Sequence, residues 1–111
     1  MNGIKLLRLA AKKLPEFMDW FFSDLPVTFN NIDAIIPHQA SKTGLSLFKR
    51  LFPLKENQMK ESISRYGNCI AASIPLTLVD AIEQGEIKRG DLCLLIGTSA
   101  GFSIGAVLIR Y

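Results

Sequence analysis

Histidine and cysteine are scarce in this sequence of 111 residues, which contains one histidine, His38, and two cysteines, Cys69 and Cys93. The cysteines form no CxxC pair, and together with a single histidine they do not provide the ligand cluster of a structural zinc site. We therefore expect no metal and two buried free thiols, which is typical of a protein from the reducing cytoplasm.

Dense clusters of charge and a secretory leader are absent as well. The net charge of +3 is spread along the chain instead of forming an arginine-rich arm, which disfavours nucleic acid as a partner. An acidic protein partner or an anionic cofactor fits such a modest basic surface equally well. Lys5, Arg8 and Lys12 interrupt the first apolar segment, so this segment does not resemble a signal peptide.

The composition that remains is that of a globular protein, with 49% apolar and 21% charged residues, and it predicts one domain over residues 1–111. Residues 92–109 carry no charge, but glycines and serines interrupt them. Two buried neighbouring strands, 92–96 and 103–109, are therefore favoured over a membrane span. A domain of this size leaves much of its surface in water, so a missing neighbour would leave apolar faces exposed.

Apolar residues at helical spacing predict three helices, over residues 4–22, 41–51 and 71–82. Pro15 is expected to kink or restart the first helix, and Gly85 to cap the third. Short apolar runs predict strands at 32–36 and 59–63. With the final strand pair, the order αβαβαββ predicts an α/β domain. The residues expected to face inward are Leu7, Ala11, Leu14, Met18 and Phe21 in the first helix and Ala72, Leu76, Val79 and Ile82 in the third.

His38 lies between the end of a predicted strand and the start of a predicted helix. Functional groups of open α/β sheets collect at such strand ends. The start of the following helix disfavours a positive charge, so we expect a neutral imidazole that can donate one proton. A structural histidine that satisfies a loop is the alternative that this residue alone leaves open.

Asn68 follows Gly67 and precedes the third predicted helix, so an N-cap is its simplest structural explanation. A turn of small residues is predicted at 97–101, between the two final strands. An imidazole and an amide that converge on one oxygen would stabilise the enolate formed when a malonyl thioester loses carbon dioxide. Backbone N–H groups in the small-residue turn would serve a second oxyanion, and a nucleophile that holds an acyl group would still be required.

Three runs of residues carry a family resemblance: IPHQAS at 36–41, YGNCIAASIP at 66–75 and GEIKRGD at 85–91, followed by the glycine-rich strand pair. Asn68 lies thirty residues after His38. In this order and spacing the motifs resemble the C-terminal end of the β-ketoacyl-acyl-carrier-protein synthase III family, over about residues 3–111. The resemblance implies a thiolase-like fold of two similar α/β halves, of which residues 1–111 are the C-terminal part and the N-terminal half with the nucleophilic cysteine is absent.

The resemblance further implies a decarboxylative Claisen condensation of an acyl group from acyl-CoA with malonyl-acyl carrier protein, with no cofactor besides these substrates. His38 and Asn68 would bind the malonyl thioester oxygen, and the backbone N–H of Ala100 would contribute to the oxyanion hole. Cys69 and Cys93 do not lie where the family nucleophile belongs, so both are interpreted as structural. The full-length form is expected to be a homodimer that binds acyl carrier protein.

Two features leave room for another function. The family commonly has phenylalanine and further glycines where this chain has residues 98–100, so a different acyl substrate is expected. Carrier docking in the family uses basic residues, for which Lys42, Lys49 and Arg50 are candidates, although a solvated helix face explains them equally well. A non-catalytic partner subunit or a truncated remnant that keeps only the fold is the alternative to an enzyme.

Overall fold

The computed structural model describes residues 3–38, 42–67, 72–99 and 103–111. A sheet forms in the order β1-β2-β3, with β1 parallel to β2 and β2 antiparallel to β3. This arrangement confirms the predicted α/β class. The helices are α1 (Gly3–Phe22), α2 (Lys42–Leu51), α3 (Ile63–Tyr66) and α4 (Ser73–Glu83), and the strands are β1 (Ala34–Pro37), β2 (Leu92–Ser99) and β3 (Ser103–Arg110).

The sheet separates two apolar layers, because alternate residues of each strand point to opposite faces. Ile35, Leu94 and Ile96 pack on the face that α1 and α2 cover. Ile36 and Cys93 pack on the other face, which α4 covers. All four residues of β1 are buried, as expected for a strand with neighbours on both faces.

Helix α1 runs unbroken through Pro15, so the predicted restart does not occur. Leu14 and Met18 are buried on either side of this proline, and their packing on the sheet holds both halves of the helix in line. The buried stripe also differs from the prediction, since Ala10 is buried, whereas Ala11 and Phe21 are only half-buried. The side chain of Leu7 lies outside those that the structure describes.

The strand predicted at 59–63 is wrong, since it is reduced to a single parallel bridge between Met59 and Ile35. The amide of Ile35 donates to the carbonyl of Gln58 at 2.8 Å, and the amide of Lys60 donates to Ile35 at 2.8 Å. Beyond this bridge the chain turns away from the sheet, because Ile63 begins α3. One apolar residue between polar neighbours does not extend the pairing.

The face of α4 that packs inward is not the one that apolar spacing predicts. Ser73, Thr77 and Asp80 are buried, together with Ala81. Val79 is 50% exposed, in a position that the helical pattern placed in the core. The inward face is polar because its side chains have partners on the segment that precedes the helix. The remaining members of the predicted inward stripe are exposed at Ala72 and half-buried at Leu76 and Ile82.

Gly85 ends α4 as predicted. Its backbone has a φ of +75°, a conformation that side chains other than glycine's rarely adopt. The amide of Glu86 donates to the carbonyl of Ala81 at 2.9 Å, which closes the end of the helix. None of the described helices is long and apolar enough to cross a membrane.

Candidate functional site

His38 directly follows β1, at the edge of the sheet where the parallel strands β1 and β2 both approach their carboxyl ends. Its backbone amide donates to the carbonyl oxygen of Ile96 at 2.9 Å. Pro37, the residue before it, still pairs with Ile96 in the register of the sheet. The backbone of His38 is therefore fixed to β2, and its half-buried side chain starts from a rigid position.

Gly97 is the point where His38 and helix α4 meet. A β-carbon placed on Gly97 would lie 3.8 Å from the Cβ of His38 and 3.5 Å from the Cδ1 of Ile74. Ile74 is the second residue of α4, so the start of this helix and the end of β1 converge on one glycine of β2. Residues 68–71, which include Asn68, connect to α4 immediately before this contact.

Sequence reasoning missed this role of Gly97 because it placed the residue in a turn. The structure shows Gly97, Thr98 and Ser99 in β2, where Gly97 pairs with Gly105 of β3. The predicted turn at 97–101 is therefore wrong in its first three residues, since the hydrogen-bonded ladder continues past the glycine. A glycine inside a strand often marks a close approach of another group, and that signal could have identified the contact.

Asn68, Cys69 and Ala100 lie outside the described residues. The structure does show that α4 has Ala72 as its N-cap, not Asn68, which contradicts the simplest structural explanation of the asparagine. It also shows Gly67, the residue before Asn68, with a φ of +67°. Glycine adopts this left-handed backbone readily, whereas other residues rarely do.

A shallow depression of about 490 Å³ opens beside Gly97 on the surface of the sheet. It extends from Ile74 on α4 to Val107 on β3, and Leu95 contributes to its floor from β2. The lining is mainly apolar, although Thr98 and Ser103 belong to it. This depression places apolar surface next to the strand end that carries His38.

Cys93 is buried on β2 and is a free thiol, which confirms its structural interpretation. Burial raises the pKa of this thiol, and the negative charges of Asp91 and Asp33 raise it further against a smaller opposing effect of Lys60. A thiol with a raised pKa remains protonated at neutral pH and is a poor nucleophile. Cys93 therefore does not replace the acyl-carrying cysteine.

The three candidate docking residues all lie on α2 and are exposed. Lys49 is paired with Glu61 at 3.1 Å, so part of its charge is compensated. Lys42 and Arg50 are exposed at opposite ends of the helix, which contains no acidic residue. Among the described residues, no group of three or more histidine, cysteine, aspartate or glutamate side chains could hold a metal ion.

Comparison with known proteins extends the match over the whole chain. A family model described as 3-oxoacyl-[acyl-carrier-protein] synthase III C terminal matches residues 23–111. The β-ketoacyl-[acyl-carrier-protein] synthase III of Oceanobacillus iheyensis is 32% identical over 111 residues, which are 100% of this chain and 36% of that protein. The corresponding synthase of Rickettsia bellii is 34% identical over 111 residues and is covered to 35%.

A solved structure gives the same result for the fold. The crystal structure of 3-oxoacyl-[acyl-carrier-protein] synthase III from Aquifex aeolicus matches with a TM-score of 0.89 and 33% sequence identity. The match covers 100% of this chain and 36% of that one, so the chain spans little more than a third of these relatives. The αβα layers, the position of His38 at the strand end and the family model agree: the chain belongs to the 3-oxoacyl-[acyl-carrier-protein] synthase III family and corresponds to its C-terminal domain, with a thiolase-like fold.

Proposed function

We propose that this chain is the C-terminal catalytic portion of an acyltransferase that condenses an acyl group from acyl-CoA with malonyl-acyl carrier protein. One observation carries the proposal: His38 and the start of α4 converge on Gly97. This convergence brings the end of β1 and the start of α4 to the same edge of the sheet, and the proposal adds Asn68, which precedes α4 in the sequence, to this edge. Two hydrogen-bond donors that converge in this way would suit an oxygen that gains negative charge during a reaction.

The chemistry follows from that pair of donors. As the malonyl thioester loses carbon dioxide, its carbon–carbon bond breaks and the electron pair moves towards the thioester oxygen. His38 and Asn68 stabilise this enolate through hydrogen bonds. The enolate carbon then attacks the carbonyl carbon of the acyl group held on a cysteine, and the backbone N–H of Ala100 contributes a hydrogen bond to the resulting oxyanion. Collapse of this intermediate releases the cysteine thiolate and the 3-oxoacyl product.

The acyl-carrying cysteine belongs to the complementary N-terminal half in this proposal, because Cys93 is buried and protonated. The complete protein would be a cytoplasmic homodimer that needs no cofactor besides its two substrates. By itself, the chain would have the donors for decarboxylation but no partner for the enolate. We therefore expect no condensing activity from the 111 residues alone.

A fusion protein tests whether this chain supplies the decarboxylation donors and the N-terminal half supplies the cysteine. In it, these 111 residues replace the matching segment of the Aquifex aeolicus synthase, which has the same fold over the whole chain. We expect the fusion protein to form 3-oxoacyl-carrier protein from acyl-CoA and malonyl-carrier protein, and the isolated chain to form none. A fusion protein that acylates its cysteine but neither decarboxylates nor condenses would contradict the proposal. So would condensation by the isolated chain as a monomer.

A non-catalytic partner subunit, or a remnant that keeps only the fold, is the second candidate function. The exposure of Val79 and Val107 fits it as well, because both forms would need a neighbouring polypeptide. The DNA upstream of Met1 distinguishes these possibilities. An in-frame first half with a cysteine at the start of a helix supports the enzyme, and stop codons support the remnant.

Carrier-protein docking on α2 is expected to depend on Lys42 and Arg50 more than on Lys49. Lys49 already pairs with Glu61, whereas the other two charges lie exposed on a helix without acidic residues. In the fusion protein, reversing both charges (Lys42→Glu with Arg50→Glu) should raise KM for malonyl-carrier protein on the order of 10-fold at low salt, with kcat little changed. Steady-state kinetics at several salt concentrations would measure this effect.

Charge reversal at Lys12 is the matched control, because this exposed lysine lies on α1, outside the proposed docking helix. The control should leave KM near the original value. Raising the salt concentration should reduce the difference between the double variant and the unmodified protein, since exposed charges are screened. An equal rise in KM for the control, or no rise for the double variant, would move the docking site away from α2.

A further inference from the structure

The short helix α3 and the segment before it are joined to α4 by two polar pairs. The hydroxyls of Ser62 and Thr77 lie 2.6 Å apart. Thr77 donates its proton to the carbonyl oxygen of Ser73 at 2.7 Å, so Ser62 must donate to Thr77. The second pair joins the guanidinium of Arg65 to the carboxylate of Asp80.

These two pairs are spaced alike on both sides. Ser62 and Arg65 are three residues apart across one turn, as are Thr77 and Asp80, and each pair joins residues fifteen positions apart. The pairs therefore form two parallel rungs between the segment that ends at Gly67 and the helix that begins at Ser73. We call these four residues the clamp. The clamp therefore joins the described segments that precede and follow residues 68–71 in the sequence.

Three of the four clamp residues are buried, which is unusual for polar side chains, whereas the side chain of Arg65 is 46% exposed. Ser62 is 2% exposed, Thr77 1% and Asp80 8%, although apolar residues of the same helix face outward. Buried hydrogen bonds contribute little net stability compared with apolar packing, but they have a fixed direction and distance. A contact of this kind specifies one register between α3 and α4, whereas an apolar contact would tolerate sliding.

That register has a consequence at the candidate site. Ile74, one residue after Ser73, contacts Gly97 beside His38, so α4 is placed relative to β1 as well as relative to α3. We propose that the clamp positions Asn68 against His38, which makes Ser62, Arg65, Thr77 and Asp80 positioning residues for decarboxylation. This inference rests on the proposed function, because it assumes that Asn68 binds the thioester oxygen.

Two variants of near-identical shape test the clamp in the fusion protein. Thr77→Val removes both hydrogen bonds of this hydroxyl, and Asp80→Asn removes the charge that pairs with Arg65. Each should lower kcat for decarboxylation of malonyl-carrier protein by about 10- to 100-fold, because small displacements of a positioned group are costly. KM should change little, and acylation of the cysteine should keep its rate. Thr77→Ser, which retains the hydroxyl, should restore kcat.

Gly85→Ala is the control for loss of stability. It strains the left-handed backbone at the far end of the same helix and should lower Tm by a few degrees without touching the clamp. Its kcat should remain that of the unmodified protein. If Gly85→Ala lowers kcat as much as Asp80→Asn does at a comparable Tm, the clamp acts through general stability and the inference is wrong.

A double variant separates this inference from the proposed function. If the clamp acts through Asn68, adding Asp80→Asn to Asn68→Ala should cause no further loss of kcat. Multiplicative losses would overturn the clamp while leaving the role of Asn68 intact. An unchanged kcat in Asp80→Asn and Thr77→Val, with a large loss in Asn68→Ala, would do the same. Full activity in Asn68→Ala would contradict the proposed function itself, and the clamp inference with it.

Discussion

Replacing His38 by alanine in the fusion protein should lower kcat for decarboxylation of malonyl-carrier protein by about 100- to 1,000-fold, the usual loss when one preorganised donor to an oxyanion is removed. The backbone of His38 is bonded to Ile96, so the strand end should keep its shape when the imidazole is lost. The substitution therefore removes a hydrogen bond to the enolate and little else. Release of carbon dioxide from labelled malonyl-carrier protein measures the effect directly.

Two comparisons identify the cause of that loss. Acylation of the cysteine by acyl-CoA does not use the enolate donors, so its rate should be unchanged in His38→Ala. His38→Gln keeps an N–H donor on a side chain of similar reach and should retain part of the activity. Unchanged decarboxylation in His38→Ala would remove this residue from the mechanism. A parallel loss of acylation would show that the variant disturbs the fold instead of the chemistry.

The position of His38 could be predicted from the sequence because it depends on local signals. A short apolar run ending at Pro37 predicts a buried strand, and the helical pattern after residue 41 predicts the element that follows. The structure places β1 at Ala34–Pro37 and α2 at Lys42–Leu51, in close agreement. A residue between two such elements must lie at the end of a strand, whatever the rest of the chain does.

The contacts that bring the site together could not be predicted in this way. Gly97 meets His38 and Ile74 through the pairing of β1 with β2, which residues 38–91 separate along the chain. The prediction of a short strand at 59–63 is wrong for a related reason. Met59 forms a single bridge to Ile35, and the chain then enters α3 at Ile63. Pairing across the sheet and the polar contacts between α3 and α4 depend on tertiary structure. The spacing of apolar residues along the sequence does not predict such contacts.

The inward face of α4 is predicted wrongly from the sequence, and the reason bears on what surrounds this helix in a longer protein. The spacing of apolar residues predicts that the face with Leu76 and Val79 is buried. The structure instead buries the face with Thr77 and Asp80. Both faces of α4 are therefore suited to burial, one by polar pairs within this chain and one by apolar side chains. A helix that is covered all round lies between two layers of a larger fold. The family relatives, which are nearly three times as long as this chain, contain enough protein to supply the second layer.

We therefore expect the isolated chain to associate through one particular surface. Val79 on α4 and Val107 on β3 are 50% and 57% exposed, and they lie on the same side of the sheet. The apolar depression at Gly97 lies on this side as well. Complete burial of a fully exposed valine contributes about 1.5–3 kcal/mol, and roughly half of that is available at each of these half-exposed positions, so the two valines and the surrounding surface favour self-association when the natural neighbour is missing. Sedimentation at increasing protein concentration should show oligomers.

Placing aspartate at both valines (Val79→Asp with Val107→Asp) should keep the isolated chain monomeric, because a carboxylate at each position opposes burial. Leu9→Asp is the matched control: Leu9 is also partly exposed, but it lies on α1, which covers the opposite face of the sheet. That variant should associate like the original chain. In the fusion protein the same double aspartate should lower the yield of folded enzyme, since the surface would then meet the N-terminal half. A monomeric unmodified chain, or a fusion protein indifferent to the double substitution, would show that this surface faces water in the complete protein.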